Sequence, residues 1–451
     1  MRSTREIPLP SSLQGAETEW QNLVSAVMAH SGKVPDRLEA AFAKAPHSPT
    51  LLAAKGLILM LLGRRELVGE ARSLYAAATT ALEDGNDPHD AMMVETLGAW
   101  LAGRPSQSAI LLDEIQARYP GDGFAVKMAQ AIRFLYGDTE GMRRSAETAV
   151  PYFDDAHPHA GYVHGCFAFS CEETHDYAVA EKAGVRALEL AHDDAWALHA
   201  VAHVHEMRGH PEKGRDWLKP RQDCIKDCTT FRHHVWWHYA LFELELGNVE
   251  RVLDLYDTEI RRDHTDDYRD ISNAVSLLAR LEAEGIGVGQ RWEELSQIAE
   301  RRVEDGCIVF ADLHYLMALL ATDRIDAAER LVVRMGEAED GSEFGAVAAG
   351  TGAAAGTGLA ALRRGDHQEA LHALMTAQRQ LQRIGGSHAQ RDVFDRLTID
   401  AALRAGHRDA ARHLIKDRAL RRGAFDRFAV ARLTRCGPVA IEAPVSTASA
   451  F

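Results

Sequence analysis

Cysteine is scarce and poorly spaced in this chain. Among 451 residues the six cysteines are Cys166, Cys171, Cys224, Cys228, Cys307 and Cys436, and none forms a CxxC pair. Neither a disulfide framework nor a zinc-ribbon spacing is present. Cys224 and Cys228, one helical turn apart, are weak ligand candidates. Free thiols in a reducing, cytoplasmic setting are the expectation. The opening MRSTREIPLPSS lacks the apolar stretch of a secretory signal, and no uninterrupted apolar run approaches membrane-spanning length, so no membrane is expected. Positive charge is also short: 51 Lys and Arg face 66 Asp and Glu, for a net charge of −15. A duplex binder needs a basic stripe, so nucleic acid is not an expected partner, and the acidic surface reads as a solvated one. There is no GxSxG elbow and no Ser–His–Asp order, which argues against a serine hydrolase. GIGVGQRW at 285–292 looks like a phosphate loop but follows no strand, so the dinucleotide reading fails.

What the chain does have is helix formers and a recurring turn. Aromatic residues are only 7% and apolar residues 46%, while alanine, leucine, arginine and glutamate dominate, all good helix residues. An apolar helical stretch ends, a glycine or small polar residue follows, and an amphipathic stretch begins. The turn residues are Gly63, Gly103, Gly137, Thr174, Gly209, Gly247, Gly285, Asp323, Gly365 and Gly406, at intervals of 34 to 42 residues. Glycine takes the left-handed conformation that closes a helix, Pro105 and Pro211 suit the first turn of a new one, and Asp193–Asp194 can cap another. A hairpin buries one face only, so neighbours must stack. Two helices in such a period resemble tetratricopeptide repeats, although the Trp, the Gly-x-x-Tyr and the closing Pro of the strict consensus are missing. The expected fold is all-α: a right-handed solenoid of about ten tandem helical hairpins over residues 31–436, with an N-terminal segment or cap at 1–30 and a tail at 437–451.

The helix before each turn is named A and the helix after it B. Several A helices carry polar residues where a packed face should be apolar. In AWALHAVAHVHEM, Trp196, His199, His203 and Glu206 share one face by spacing, and His205 lies off it. In FRHHVWWHYALFELEL, His234 and His238 are one turn apart beside Trp237. Neighbouring A helices add His164, Glu172 and Glu173; Asp270 and Asn273; Asp312 and His314; and Gln390, Arg391 and Asp392. Equivalent faces of adjacent helices would converge into one polar patch, enclosed if the solenoid curls. Three readings of the histidines stay open. They are hydrogen-bonded partners inside the repeat interface, an acid–base or anion-binding pocket, or a metal site. For the last, His199–x3–His203–x2–Glu206 has workable spacing, and His234 or His238 would complete it. HVHE is not the HExxH motif. Gly385–Gly386 before a helix, with Arg391, reads as an ordinary loop or an anion cradle. The small-residue run 345–358 reads as a closely packed helix or a flexible lid. Trp236, Trp237 and Trp292 read as core packing.

DAWALHAVAHVHEMRG, HVWWHYAL, LLARLEAEGIGVGQRWEEL, ADLHYLMA and GGSHAQRDVF closely resemble the family of tetratricopeptide repeat protein 38, which has members in animals and bacteria. The resemblance is strong from about Gly165 to Asp400. It implies a cytoplasmic solenoid and no particular reaction. Carried over position by position, it marks most of these residues, though not His164, Glu172 or Asn273. The candidate catalytic residues are His199, His203, Glu206, His238 and Asp312. The candidate substrate-binding residues are Glu173, Trp196, His205, His234, Trp237, Asp270, His314, Gln390, Arg391 and Asp392. No residue is assigned as a metal ligand, and no cofactor follows. The expected partner is a small polar or anionic ligand, or alternatively a partner protein held in a concave groove; the chain would be a monomer or a homodimer. The histidine, acidic and tryptophan content of the stripe favours the ligand over a peptide clamp, which uses Lys, Arg and Asn.

Overall fold

The computed structural model describes residues 9–83, 87–229, 231–338 and 340–437. Every expected turn is a helix end, and the backbone shows why. Gly63, Gly103, Gly137, Gly209, Gly247, Gly285, Asp323, Gly365 and Gly406 all have positive φ. Only the fourth turn shifts: Thr174 is a C-cap with φ −104, and His175 takes the left-handed conformation at φ 65. The Thr174 hydroxyl is bonded back to the Ser170 carbonyl at 2.9 Å, which holds it to the helix and passes the turn to its neighbour.

Among the described residues every regular element is a helix. α1 (Glu17–Met28) and α2 (Val34–Lys44) form a hairpin across His30, φ 54. Then follow α3 (Pro49–Leu61) with α4 (Arg65–Glu83), α5 (Pro88–Leu101) with α6 (Pro105–Arg118), and α7 (Gly123–Tyr136) with α8 (Thr139–Ala149). Next come α9 (Ala160–Glu173) with α10 (Tyr177–Leu190), α11 (Ala195–Met207) with α12 (Pro211–Leu218), and α13 (Phe231–Glu245) with α14 (Val249–Leu255). α15 (Tyr268–Ala283) pairs with α16 (Arg291–Arg301), and α17 (Val309–Ala321) with α18 (Ile325–Gly336). α19 (Glu343–Val347) leads into α20 (Ala353–Arg364), which pairs with α21 (His367–Gln378); α22 (His388–Arg404), α23 (Arg408–Arg422) and α24 (Arg427–Arg435) end the stack. Ten hairpins thus turn at the ten expected places. The expected 1–30 boundary falls inside the first, additional hairpin, whose α1 buries Trp20 and Leu23; the tail from 438 onward lies outside the described residues. Among the described residues the only strand-like pairing is an isolated bridge, Ser31 to Cys228.

The two helices of a hairpin differ in burial. α18 buries Ala327, Ala328, Leu331 and Met335, a single face. α11 buries every residue except Glu206, and α17 every residue except Ala321. α11 and α17 are therefore enclosed on all sides, and their polar residues with them.

Closure comes from the turns. The Gly103 carbonyl accepts the Glu343 N–H at 2.9 Å. The Gly137 carbonyl accepts Gln382 Nε2 at 2.7 Å. His388 N–H donates to Glu173 at 3.0 Å beside the fourth turn, Arg422 reaches the Glu206 carbonyl at 3.3 Å, and Arg427 the Leu244 carbonyl at 3.0 Å. At the other end Arg302 pairs with Glu66 and Asp266 at 2.7 and 2.6 Å, and Gly32 N–H donates to the Asp227 carbonyl at 2.9 Å. The early turns are fastened to chain far downstream, and the inner face is sealed.

α19 and α20 run as one helix, Glu343–Arg364, through a π-turn at Ala348–Gly352. It holds no uninterrupted apolar run, yet by length and composition its 22 residues are enough to cross a membrane, with mean hydropathy 1.3 and 56% of the apolar window buried in the fold. Its apolarity comes from alanines and from glycines that allow close approach. A Cβ at Gly352, Gly356 or Gly358 would press on Val309, Met335 or Leu374. The small-residue run is thus a packed helix.

Gly365 and Gly137 separate the two duties of a turn glycine. At Gly365 an added Cβ meets nothing, so Gly365→Ala should cost only the left-handed strain, about 1–2 kcal/mol. At Gly137 the same Cβ would overlap the Gln382 carbonyl, so Gly137→Ala should lower the denaturation midpoint clearly further. Equal midpoints in urea would show that this closure contributes nothing to stability.

Candidate functional site

Five A helices bring their polar residues together: α9, α11, α13, α15 and α22. Asp194 sets the start of α11 by accepting from the Trp196 and Ala197 N–H groups at 3.0 and 3.1 Å. From there His199 and His203 project one turn apart, and His234 and His238 project likewise from α13. The four rings are 0–8% exposed and touch one another. His234 Nε2 lies 3.1 Å from His199 Nε2 and 3.2 Å from His238 Nε2. The His203 ring centre is 4.3 Å from that of His199 and 4.4 Å from that of His238. One nitrogen from each ring lies within 4.8 Å of all the others.

A second layer orients the rings. His238 Nδ1 donates to Glu206 at 2.9 Å, and His234 Nδ1 donates to the Asn273 carboxamide oxygen at 2.9 Å. His203 Nδ1 faces Glu172 at 3.3 Å. Glu172 in turn takes His388 Nε2 at 2.6 Å, and Glu172, Glu173, His203 and His388 form an overlapping group of possible ligands. Aromatic walls close the sides. Trp237 stacks on His234 at 5.3 Å, and Phe169 and Trp196 pack on His199 at 5.4 and 5.0 Å. Beyond Trp196, His30 stacks on the indole at 5.3 Å and receives Lys127 at 2.9 Å.

The electrostatics follow from burial. Loss of water, and then the other rings, pushes His199 well below the ordinary histidine value. His234 falls likewise, and burial takes His238 to about 4 despite Glu206. Burial opposes the charge on Glu206 too, but the His238 bond outweighs it and brings the carboxyl to about 2. His388 behaves the other way: burial disfavours its charge, yet Glu172 and Glu173 raise its pKa. Its side chain, 16% exposed, connects the centre to solvent.

No protein-family model matches the chain. Among solved structures it is similar to the human IFIT1 dimer with m7Gppp-AAAA, at 13% identity over 96% of each chain with a TM-score of 0.44. It is also similar to yeast Tom70, at 12% identity over 94% of this chain and 88% of that one with a TM-score of 0.34. These likenesses are remote, and the helical-hairpin solenoid stands on the chain's own geometry.

Not every candidate residue reaches the centre. His199, His203, Glu206, His234 and His238 meet there, with Trp196 and Trp237 as walls and Glu173 beside Glu172. His205, on the far side of α11, packs edge-on to Trp217. Asp312 pairs with Arg334 at 2.7 Å and is pushed up to about 7 by burial. His314 Nδ1 bonds to the Phe310 carbonyl of its own helix at 2.7 Å. Asp270 takes the Thr265 hydroxyl one turn before Asn273. Gln390 forms a capping box with Ser387. Arg391 is spent on the Gly385 and Gly386 carbonyls and Glu173, so the glycine loop binds its own arginine. Asp392 sits in a buried network with Arg418, Arg396 and Asp426. Conversely His388 belongs to the centre and was not among the candidates. Its signal was faint: three residues before Arg391, on an already polar helix start.

Asp392 provides a test of that sorting. Arg418 and Arg396 outweigh burial and hold its carboxyl well below the ordinary range. Asp392→Asn leaves Arg418 with one buried carboxylate fewer and should cost about 3–5 kcal/mol at neutral pH. The ionised form is the stabilising one, so the gap from wild type is full above the unfolded value of about 4 and shrinks as pH falls through the depressed folded value. Urea melts at several pH values would show this; a pH-independent gap would remove the charge from the explanation.

Proposed function

We propose that the chain is a relative of the tetratricopeptide repeat protein 38 family whose sealed centre binds a small polar or anionic ligand, as an enzyme or as a binder, by acid–base or metal-assisted chemistry. The observation that carries this is the burial of four imidazoles against Glu172 and Glu206 on three separate helices. Unsatisfied polar groups cost about 1–3 kcal/mol each when buried, and several stay without a partner: His203 Nε2, His199 Nδ1 and the two indole N–H groups of Trp196 and Trp237. A purely structural network would be expected to satisfy its members.

The second layer suits proton movement. Glu172 bridges His388, which reaches solvent, and His203, which touches His199 and His238. A proton taken up at His388 has a short path to the rings through one carboxylate. In this reading His199, His203 and His238 face the ligand, while Glu206 and Asn273 hold the tautomers of His238 and His234 as positioning residues.

The alternative, a peptide or partner protein laid along a concave groove, has less support. The turns of one half of the solenoid bond to the other half, so the histidine stripe faces protein on every side. A cytoplasmic setting accords with six free thiols.

A thermal-shift panel of small carboxylates, phosphates, amines and sugars tests the proposal. One class should raise the melting temperature of the wild-type chain, since a ligand at a hundred times its Kd contributes about 2.7 kcal/mol. The shift should vanish in His199→Ala and persist in His205→Ala. A shift equal in all three chains would place the ligand elsewhere.

A further inference from the structure

The protonation of the rings is fixed by what lies behind them. Asn273 presents its carboxamide oxygen to His234 Nδ1, and Glu206 presents a carboxylate to His238 Nδ1. Both acceptors require a proton on Nδ1. In neutral rings the Nε2 atoms of His234 and His238 are then bare lone pairs, yet they point at each other across 3.2 Å. His199 Nε2, 3.1 Å from His234 Nε2, has one proton to give and two lone pairs to satisfy. His203, fully buried among them, faces Glu172 through Nδ1 at 3.3 Å and has no hydrogen-bond partner at Nε2. Converging imidazole lone pairs backed by Nδ1–H donation to a carboxylate and an amide are the arrangement a metal ion requires of its ligands and of the groups behind them.

We infer that His199, His203, His234 and His238 hold one divalent first-row transition-metal ion. His199, His234 and His238 bind through Nε2, and His203 through one ring nitrogen. Four nitrogens with no sulfur select the zinc, copper, nickel and iron class over calcium or magnesium. Two His-x3-His pairs on adjacent A helices give the bite: each pair spans one turn of its own helix, and helix packing sets the pairs face to face. Glu206 and Asn273 are positioning residues, and Glu172 is the acceptor behind His203. Cavities lined by Arg65 and Arg302, by Tyr162 and Cys228, and by Trp20 and His159 lie away from the four rings. An ion needs only the space between the rings. This inference deepens the function proposed above and fails separately from it.

The experiment uses tag-free, full-length chain. Elemental analysis by plasma mass spectrometry should find about one equivalent of a first-row metal per chain, or one equivalent of Zn2+ regained after chelation, as for a closed four-ligand site. Co2+ should give the intense visible absorption of tetrahedral coordination. His234→Ala should lose both while keeping its helical circular dichroism, and His205→Ala should keep both. Should His234→Ala not fold, Glu206→Gln decides: it keeps the volume, weakens the support of His238, and should lower Zn2+ affinity about 10–100-fold. A folded wild-type chain that takes up neither Zn2+ nor Co2+ overturns the inference, as does unchanged affinity in Glu206→Gln. If metal is absent but the ligand-dependent thermal shift still vanishes in His199→Ala, the ion is wrong and the ligand-binding reading stands. If metal is present and no ligand shifts the melting temperature, the reverse holds.

Discussion

Everything distinctive here depends on the solenoid closing on itself. A stack of hairpins ordinarily leaves its inner helices facing water, where histidine and glutamate stripes are unremarkable. In this chain the turns sit against chain far downstream: Gly103 against Glu343, Gly137 against Gln382, and the fourth turn against His388. Water leaves the inner face. Each polar group there must then find a partner in the protein or bear the cost of lacking one.

The polar residues answer that demand in two different ways. Toward the C-terminus, Asp392 and Asp426 are interleaved with Arg396 and Arg418, opposite charges on short bonds. That network is complete, and it ties α22 to α23 and α24. At the histidine centre the satisfaction is lopsided. The outer nitrogens of His234 and His238 are served by Asn273 and Glu206, while the inner ones face each other. Burial then drives these rings toward the neutral form, which sharpens the clash of lone pairs. One network is finished by its own charges; the other is finished only by something positive at its middle.

The repeats were legible because their physics is local. A left-handed residue between two amphipathic stretches is a property of a few neighbouring side chains, so nine turn residues could be named from the sequence. The tenth moved by one because Thr174 had a local alternative, a bond to Ser170, that spacing does not reveal. Face-sharing within a helix was also legible, which is why His199 and His203, and His234 and His238, fell together while His205 fell aside. Asp312, His314 and Asp392 lie on A helices as well, yet each found a partner close by in Arg334, the Phe310 carbonyl and Arg418. Which polar residue on an inner helix meets the centre depends on the curvature of the whole stack, and no repeat contains that information.

The sequence by itself determined the all-helical class, the place of ten of the hairpins, and the faces that carry imidazoles, because 3.6-residue periodicity and left-handed turns act over a few residues. The tertiary structure alone decided that His388 joins Glu172 across 216 residues, that Asn273 and Glu206 fix two ring tautomers, and that Arg391 is consumed by its own glycine loop. The first of these rests on closure. Distances between helices that are far apart in the chain are set by how every intervening hairpin packs, and only their sum brings His388 to Glu172 and so to the four histidines.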